Sequence, residues 1–516
     1  MNDLEQQFDA IIIGSGFGGS MTAKKLVDAG KKVLMLERGD WVVRGPHNWE
    51  RNGSIDLSPF YDKKLPYQVI KGGNKPAMGV YSCVGGPSVF YGGVSFRFRE
   101  DDFNPPQEIV GDSGAEWPIS YSNLSPYYDE AETILNIAGE SGVDPTEPHR
   151  NQDFPQKPGR YAKVSEKVKS AAEGLGLNPF HLPIAINYED TSRNTCQACT
   201  TCDTFACAIE AKNDLPTMLL NDLVKKGMVL RANATVAKLN TEGTKVISIS
   251  CFDSKTGEQF EVSGNQIILS AGALASPHIL LASDLDKLNP AGKVIGRYLM
   301  RHTNSIVFGI YAGVADKEQR FHKELAILDY YFGHETIDYP KHKLGSLQQV
   351  PTPPGGLVEH EAPKPLGKVA ALGVKLLTGL LAIAEDQPQY DNYLKIDKSK
   401  IGAFNMPTPI VSHEYSKRDV AALKALTVKA KKIMKKTGAV LTYTHNIRTF
   451  SHAVGTVRMG IDEKTSALDG NCNFRGVDNL SVVDASFMPT SAAVNPSLTI
   501  SANALRVGDY LLQNKF

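Results

Sequence analysis

Residues 8–37, FDAIIIGSGFGGSMTAKKLVDAGKKVLMLE, decide the fold. Phe8 to Ile13 is a short apolar run of strand type, and Gly14-Ser15-Gly16-Phe17-Gly18-Gly19 follows at once. A helix-like stretch then runs to Gly30, and Lys32 to Leu36 forms a second apolar run with Glu37 at its tip. The order strand, glycine turn, helix, strand is that of a dinucleotide cradle. Gly14 is expected to make the tight turn, Gly16 to let the backbone approach a pyrophosphate, and Gly19 to let helix and strand pack closely. The N–H groups of a helix beginning here, with Ser15, Phe17 and Gly18 in the loop, offer phosphates a partial positive charge. Glu37, eighteen positions after Gly19, can accept hydrogen bonds from both ribose hydroxyls and would repel a 2′-phosphate. A lone GxGxxG also serves ordinary turns, but the flanking elements argue against that reading. The motif by itself does not separate FAD from NAD.

The 516 residues, 42% of them hydrophobic, can bury a large core, and the length suggests two or three structural units. Lys plus Arg balances Asp plus Glu at 56 each, which excludes the concentrated positive charge a nucleic-acid partner requires. The opening MNDLEQQFDA lacks the basic region and long apolar stretch of a secretory signal. Seven cysteines do not form a disulfide framework for a chain of this size, so a soluble, cytoplasmic protein is expected. Leu366 to Ala384, LGKVAALGVKLLTGLLAIA, is nineteen residues long but carries Lys368 and Lys375. Two lysines inside a spanning helix are costly, so no transmembrane segment is expected. The stretch predicts a buried or partly exposed helix in preference to a membrane-surface element, with an apolar lid over a substrate entrance as a further functional alternative.

The C-terminal region is richer in chemistry. Residues 451–460 read SHAVGTVRMG, and LSVVD ends a strand at Asp484. ASFMPTSAAVNPSLTISANALRVGDYL follows from Ala485. Pro496 suits the first position of a helix and Asn495 its N-cap. Asn495 would then sit at the positive end of a helix dipole, where developing negative charge, such as that on a reduced flavin, is stabilised.

With these motifs in order, the chain resembles the glucose–methanol–choline oxidoreductases over most of its length. Residues 272–277, GALASP, resemble the family's second signature, and IGRYLMRH (Ile295 to His302) its usual successor. VGGPSVFYGGVSFR (Val84 to Arg97) resembles the flavin-contacting loop, and EWPISYSNLSPYYDEAE (Glu116 to Glu132) matches bacterial members. The resemblance implies an α/β (α+β overall) fold, with a Rossmann-like FAD-binding domain formed by residues 1–104, 205–302 and 453–516. Residues 105–204 and 303–452 would form a substrate-binding domain on a mostly antiparallel sheet. It places Gly14 to Gly19, Glu37, Arg38, Gly85, Gly86, Ser88, Tyr91, Gly92 and Gly93 at the cofactor. Val236, Ala271, Gly272, Asp484, Ala485, Asn495, Pro496 and Thr499 join them. His452 falls on the catalytic histidine and Asn495 on the second catalytic position.

The chemistry suits those groups. Oxidising an alcohol removes the hydroxyl proton while hydride leaves carbon for the flavin, and a histidine can take the proton. Asn495, a neutral donor, can hold the oxygen without competing for that proton, and His445 is the nearest rival base. Phe90 stands where some members carry a flavin-linking histidine, so non-covalent FAD is expected. The expected substrate is a small-molecule alcohol: a sugar, glycoside or other polyol, with a sterol or long-chain alcohol as the alternative. Oxygen or another acceptor would reoxidise the flavin, and non-redox FAD lyases share the scaffold. Oligomeric state is not legible in the sequence.

Cys196, Cys199, Cys202 and Cys207 invite an iron–sulfur or metal reading, because thiolates at two-residue gaps can share one centre. Their spacing differs from the adjacent cysteines of iron–sulfur members, and reduced structural thiols are the favoured expectation.

Overall fold

A computed structural model describes residues 7–50, 61–73, 77–333, 343–361 and 365–516. Its first layer is a five-stranded parallel sheet. β1 (Phe8–Ile13) lies at the centre, flanked by β2 (Val33–Leu36) and by Gly264–Leu269; Val229–Arg231 and Leu480–Val482 complete the edges. These strands are near-continuous apolar runs because helices or loops cover both faces of the parallel sheet. They come from three distant parts of the chain, so the sheet closes only when residues 480–482 return to pair with 267–269.

Helix α1 (Phe17–Asp28) connects β1 to β2 and packs against the C-terminal helix Ser497–Asn514. The approach is close: Thr22 Oγ1 donates to the Ala504 carbonyl at 3.3 Å, and a Cβ on Gly508 would lie 2.8 Å from Lys25. Three glycines of the first motif fit three different constraints. Gly14 has φ of 100°, Gly18 faces the Val483 carbonyl, where a Cβ would come within 2.3 Å, and a Cβ on Gly19 would lie 2.1 Å from the Gly14 carbonyl. Against Gly16 a Cβ would meet nothing within 4 Å among the described residues beyond its chain neighbours.

The second layer is a six-stranded antiparallel sheet in the order Leu441–Asn446, Thr303–Ile310, Leu377–Ala384, Ser346–Val350, Leu325–Ile327 and Phe180–His181. The helix Lys417–Lys436, capped by Ser416 accepting from the Asp419 N–H, covers one face with Leu426, Ala430 and Ile433. A smaller sheet pairs Tyr61–Lys71 with Pro407–Ser412, joining an early segment to a late one.

One expectation is corrected here. The apolar stretch 366–384 is not a single helix. Gly367–Gly373 is helical, a tight turn covers Val374–Leu376, and Leu377–Ala384 is a strand inside the six-stranded sheet. A strand paired on both sides and packed on both faces presents the same unbroken apolar run as a buried helix, so periodicity cannot tell them apart. The exposed apolar residues Val369 and Leu372 lie in the helical part, and exposed Leu366 stands at its cap position. Among the described residues no helix is long and apolar enough to cross a membrane.

Candidate active site

The loops carrying the cofactor residues of the sequence converge on one edge of the parallel sheet, past the C-terminal ends of its strands, where nucleotides bind in open α/β sheets. Among the described residues the first turn of α1 has neither a side-chain cap nor an acidic residue, which suits a helix start that receives an anion. Ser15 ties this loop to its neighbours. Its hydroxyl donates to Glu37 Oε2 at 2.6 Å and accepts from the Gly85 N–H at 2.9 Å. Glu37 is buried and also accepts from the Gly39 N–H at 2.9 Å; burial pushes its carboxyl up despite these bonds. Arg38 turns aside to Ser82.

The second loop is similarly built. Gly85 has φ of 89°, and Ser88 donates back to its carbonyl at 2.7 Å. Tyr91 packs on Phe17 and donates to the Asn213 carbonyl, while Gly92 and Gly93 follow it, buried. Phe90 stacks on Tyr81 at 4.4 Å. Across the cradle, Asp484 accepts from the Gly272 N–H, the Ser276 hydroxyl and the Ser486 N–H. Ala271 donates to Ser276, Ala485 accepts from the Gly455 N–H, and Thr499 shares a hydrogen bond with Tyr128. Val236 is buried in the strand Ala234–Glu242, and Pro496 is buried at the C-terminal helix. A cofactor fits this cradle on three counts: the open face of Gly16, the equally open Gly272, and the buried Ser270 hydroxyl, which has no partner among the described residues.

His452 follows the strand Leu441–Asn446, and an antiparallel bridge between Met300 and Val454 sets it beside His302. The two imidazoles meet Nδ1 to Nδ1 at 3.0 Å, and His302 Nε2 lies 3.0 Å from the Ser491 carbonyl. A carbonyl only accepts, so neutral His302 carries its proton on Nε2 and accepts at Nδ1. His452 must then donate through its own Nδ1, which leaves Nε2 unprotonated. Burial, with the electrostatic influence of His302 and Lys323 added, pushes the His452 ring down to about 3, so it stands neutral at physiological pH.

Asn495 is oriented from the other side. Gln348, fully buried on the strand Ser346–Val350, donates through Nε2 to Asn495 Oδ1 at 2.8 Å. With its carbonyl engaged, Asn495 has its amide N–H groups to offer a substrate oxygen. The expected N-cap role is corrected. The cap position falls on Pro496, the helix starts at Ser497, and the Asn495 side chain makes no cap bond because Gln348 holds it.

A buried acidic pair immediately follows Leu377–Ala384 and holds the backbone at His302 and the loop before Asn495. Asp386 accepts from the backbone N–H groups of Arg301 and His302 and from the Ser491 hydroxyl. Glu385 accepts from the Ala492 N–H and pairs with Lys343. Burial works to raise the Asp386 carboxyl, but His413 and His302 hold it below the usual carboxylate range. One carboxylate thus ties the loop before His302 to the loop before Asn495. His445, the rival base, is exposed on the edge strand Leu441–Asn446.

The cysteine loop packs against the 85–93 loop. Lys212, buried, donates to the carbonyls of Val89, Tyr91, Cys202 and Phe205 and clamps the two together. Among the described residues no set of three or more His, Cys, Asp or Glu is gathered to hold a metal. Burial raises Cys196 to about 11 and Cys202 further, so both are thiols at neutral pH.

Two GMC oxidoreductase family models match the chain, the N-terminal one over residues 8–304 and the C-terminal one over 388–504. The chain belongs to the GMC oxidoreductase family. It is similar to paromamine 6'-oxidase of Streptomyces fradiae, 28% identical over 98% of this chain and 91% of that one. It is similar also to 2-methyl-1,2-propanediol dehydrogenase of Mycolicibacterium austroafricanum, 27% identical over 99% and 96%. Pyridoxine 4-oxidase from Mesorbium loti shares the fold, with a TM-score of 0.70 over 99% of this chain and 100% of that one at 20% identity. This GMC enzyme is therefore an FAD-dependent oxidoreductase acting on alcohols.

Four residues around its centre escaped the sequence reading as site residues. His302 closes a motif already noted and could have been found from it. Gln348, Asp386 and Ser491 carry no local signal, because their roles exist only once the two sheets meet.

Proposed function

We propose that this GMC oxidoreductase oxidises a CH–OH group of a sugar, glycoside or other polyol to a carbonyl, with His452 as the base and Asn495 holding the oxygen. The observation that carries the reading is the His302–His452 contact, which leaves His452 Nε2 as a bare acceptor. Nε2 takes the hydroxyl proton, Asn495 Nδ2 donates to the same oxygen, and Gln348 and His302 keep both groups in register. Bound FAD would supply the two-electron acceptor for the hydride, held by residues 14–19, the 85–93 loop, Asp484 and the start of the C-terminal helix. The parallel-sheet layer, with residues 1–104, 205–302 and 453–516, would be the FAD domain, and residues 105–204 and 303–452 the substrate domain. The polyol preference draws on relatives named for paromamine and a propanediol. Non-covalent FAD draws on Phe90, which has no nucleophile and is buried against Tyr81.

Anaerobic mixing of the holoenzyme with sugars, polyols, 1-hexanol and a sterol tests the reading. Polyols should bleach the flavin band, whereas a flavin that no alcohol bleaches would count for a non-redox role.

His302 gives a second expected result. His302→Leu removes the acceptor that fixes His452, and flavin reduction should slow by about 10²-fold. The pH profile should move as well. The active base is neutral, so activity falls as pH drops through the His452 pKa, near 3 in the native protein. His302 acts to lower the His452 pKa, so its removal raises that pKa, and the acid limb should shift to higher pH. A slower enzyme with an unmoved limb would reduce His302 to a packing residue.

A further inference from the structure

Asp203, inside the cysteine stretch 196–207, and Lys323 lie beside the flavin loop, and neither was read from the sequence as a site residue. They form an ion pair, with Lys323 Nζ donating to Asp203 Oδ2 at 2.6 Å. Both press on the backbone of the flavin loop. A Cβ on Gly92 would come within 2.7 Å of Lys323 Nζ and 3.1 Å of Asp203 Cγ, so glycine at this position makes room for the pair. The Thr204 N–H, one residue on, donates to the Phe90 carbonyl at 2.9 Å, and the Lys212 clamp on Cys202 fixes the loop from below. The geometry of the pair is therefore built in.

Its exposure is uneven. Lys323 keeps 6% of its side chain accessible but Asp203 keeps 32%, and among the described residues Asp203 Oδ1 takes no hydrogen bond. His452 feels both charges, Lys323 disfavouring and Asp203 favouring its protonated form. Asp203 and His452 each keep part of their surface accessible, and their charges lie near enough to act on one another. Burial works to raise the Asp203 carboxyl, but Lys323 holds it below the usual range, so it is an anion there. An ionised acceptor beside an ammonium donor matches a hydroxyl, which both donates and accepts. It does not match an alkyl chain, which would leave both charges unsolvated.

We propose that Asp203 and Lys323 form a hydroxyl-recognition subsite that binds a second hydroxyl of a polyhydroxylated substrate while the reacting carbinol is held at His452 and Asn495. The assignment rests on the alcohol-oxidising reading above and adds the substrate feature that the site selects. Specificity of this kind comes from buried polar groups that are left unpaired when the matching hydroxyl is missing.

The test compares wild-type, Asp203→Asn and Lys323→Gln holoenzymes, with xylitol and methyl glucoside set against 1-hexanol. Anaerobic stopped-flow reduction gives a rate constant and a dissociation constant for each alcohol. The ratio of reduction efficiency on polyol to that on 1-hexanol should fall by about 10- to 100-fold in Asp203→Asn, mostly through weaker binding. Using the ratio cancels any change the lost charge makes at His452, because that change acts on both substrates alike. Lys323→Gln should lower the same ratio. Asp203→Glu, which keeps the charge, should restore part of it. A ratio unchanged in both variants would overturn the subsite and leave the pair a structural brace.

Titrating each holoenzyme and following the flavin absorption band separates this proposal from the reading it rests on. If polyols perturb the band in an Asp203-dependent way but never bleach it, the subsite stands and the oxidation reading falls. If 1-hexanol bleaches the flavin and no polyol binds, the subsite falls and alcohol oxidation stands. A wild-type protein that neither binds nor oxidises any polyol overturns both.

Discussion

Replacing His452 with alanine should slow flavin reduction by about 10²- to 10⁴-fold, the range a positioned general base supplies, and leave FAD bound. The cause is the tautomer. His302 donates from Nε2 to the Ser491 carbonyl and accepts from His452 at Nδ1, so Nε2 of His452 is a free acceptor. Alanine removes that acceptor, and the nearest sequence alternative, His445, is exposed on an edge strand. The residues proposed to hold the nucleotide lie on other loops, so cofactor content should stay at the wild-type level. Acid precipitation should release the flavin from both proteins, because Phe90 carries no nucleophile to link it. A variant reducing its flavin at near wild-type rate would show that the proton goes elsewhere.

The glycines of the first motif should separate by function. Gly16→Ala should weaken FAD binding by about 10²-fold, the scale of one or two lost hydrogen bonds to a charged phosphate, with the unfolding midpoint of the apoprotein unchanged. Among the described residues beyond its chain neighbours nothing lies within 4 Å of a Cβ there, so a methyl group should trouble chiefly a ligand. Gly19→Ala should do the reverse. Its Cβ would lie 2.1 Å from the Gly14 carbonyl and 3.0 Å from Ile12 Cγ2, forcing α1 away from β1. Overpacking of this sort costs about 1–3 kcal/mol and should lower the apoprotein's thermal midpoint. Thermal unfolding of both apoproteins, followed by fluorescence titration with FAD, distinguishes the two. Equal loss of stability in both variants would mean that Gly16, too, is needed for packing.

The contrast shows where the sequence was readable. A nucleotide cradle is local: one strand, one turn and one helix within thirty residues carry it, and each glycine answers to backbone a few residues away. The antiparallel character of the second layer was likewise legible through the family resemblance. The stretch 366–384 was not, because a central strand and a buried helix share an unbroken apolar composition, and only pairing with residues 303–310 and 346–350 decides between them. That misreading hid the chemistry behind it. The strand ending at Ala384 delivers Glu385 and Asp386 to the loops before His302 and Asn495, and no spacing in the chain announces it.

By itself, then, the sequence determined the parallel cradle, the family, and the two residues proposed to act on the substrate, because each is written in a short motif with its own physical logic. The tertiary structure decided how those two residues are primed. The free nitrogen of His452 is set by His302 across 150 positions, and the free amide of Asn495 by Gln348 across 147. Asp203 and Lys323, 120 positions apart, meet beside Gly92 in the same way. A proton's place on an imidazole or an amide's orientation depends on which partner lies within 3 Å, and those partners are brought together only when the sheets close on each other.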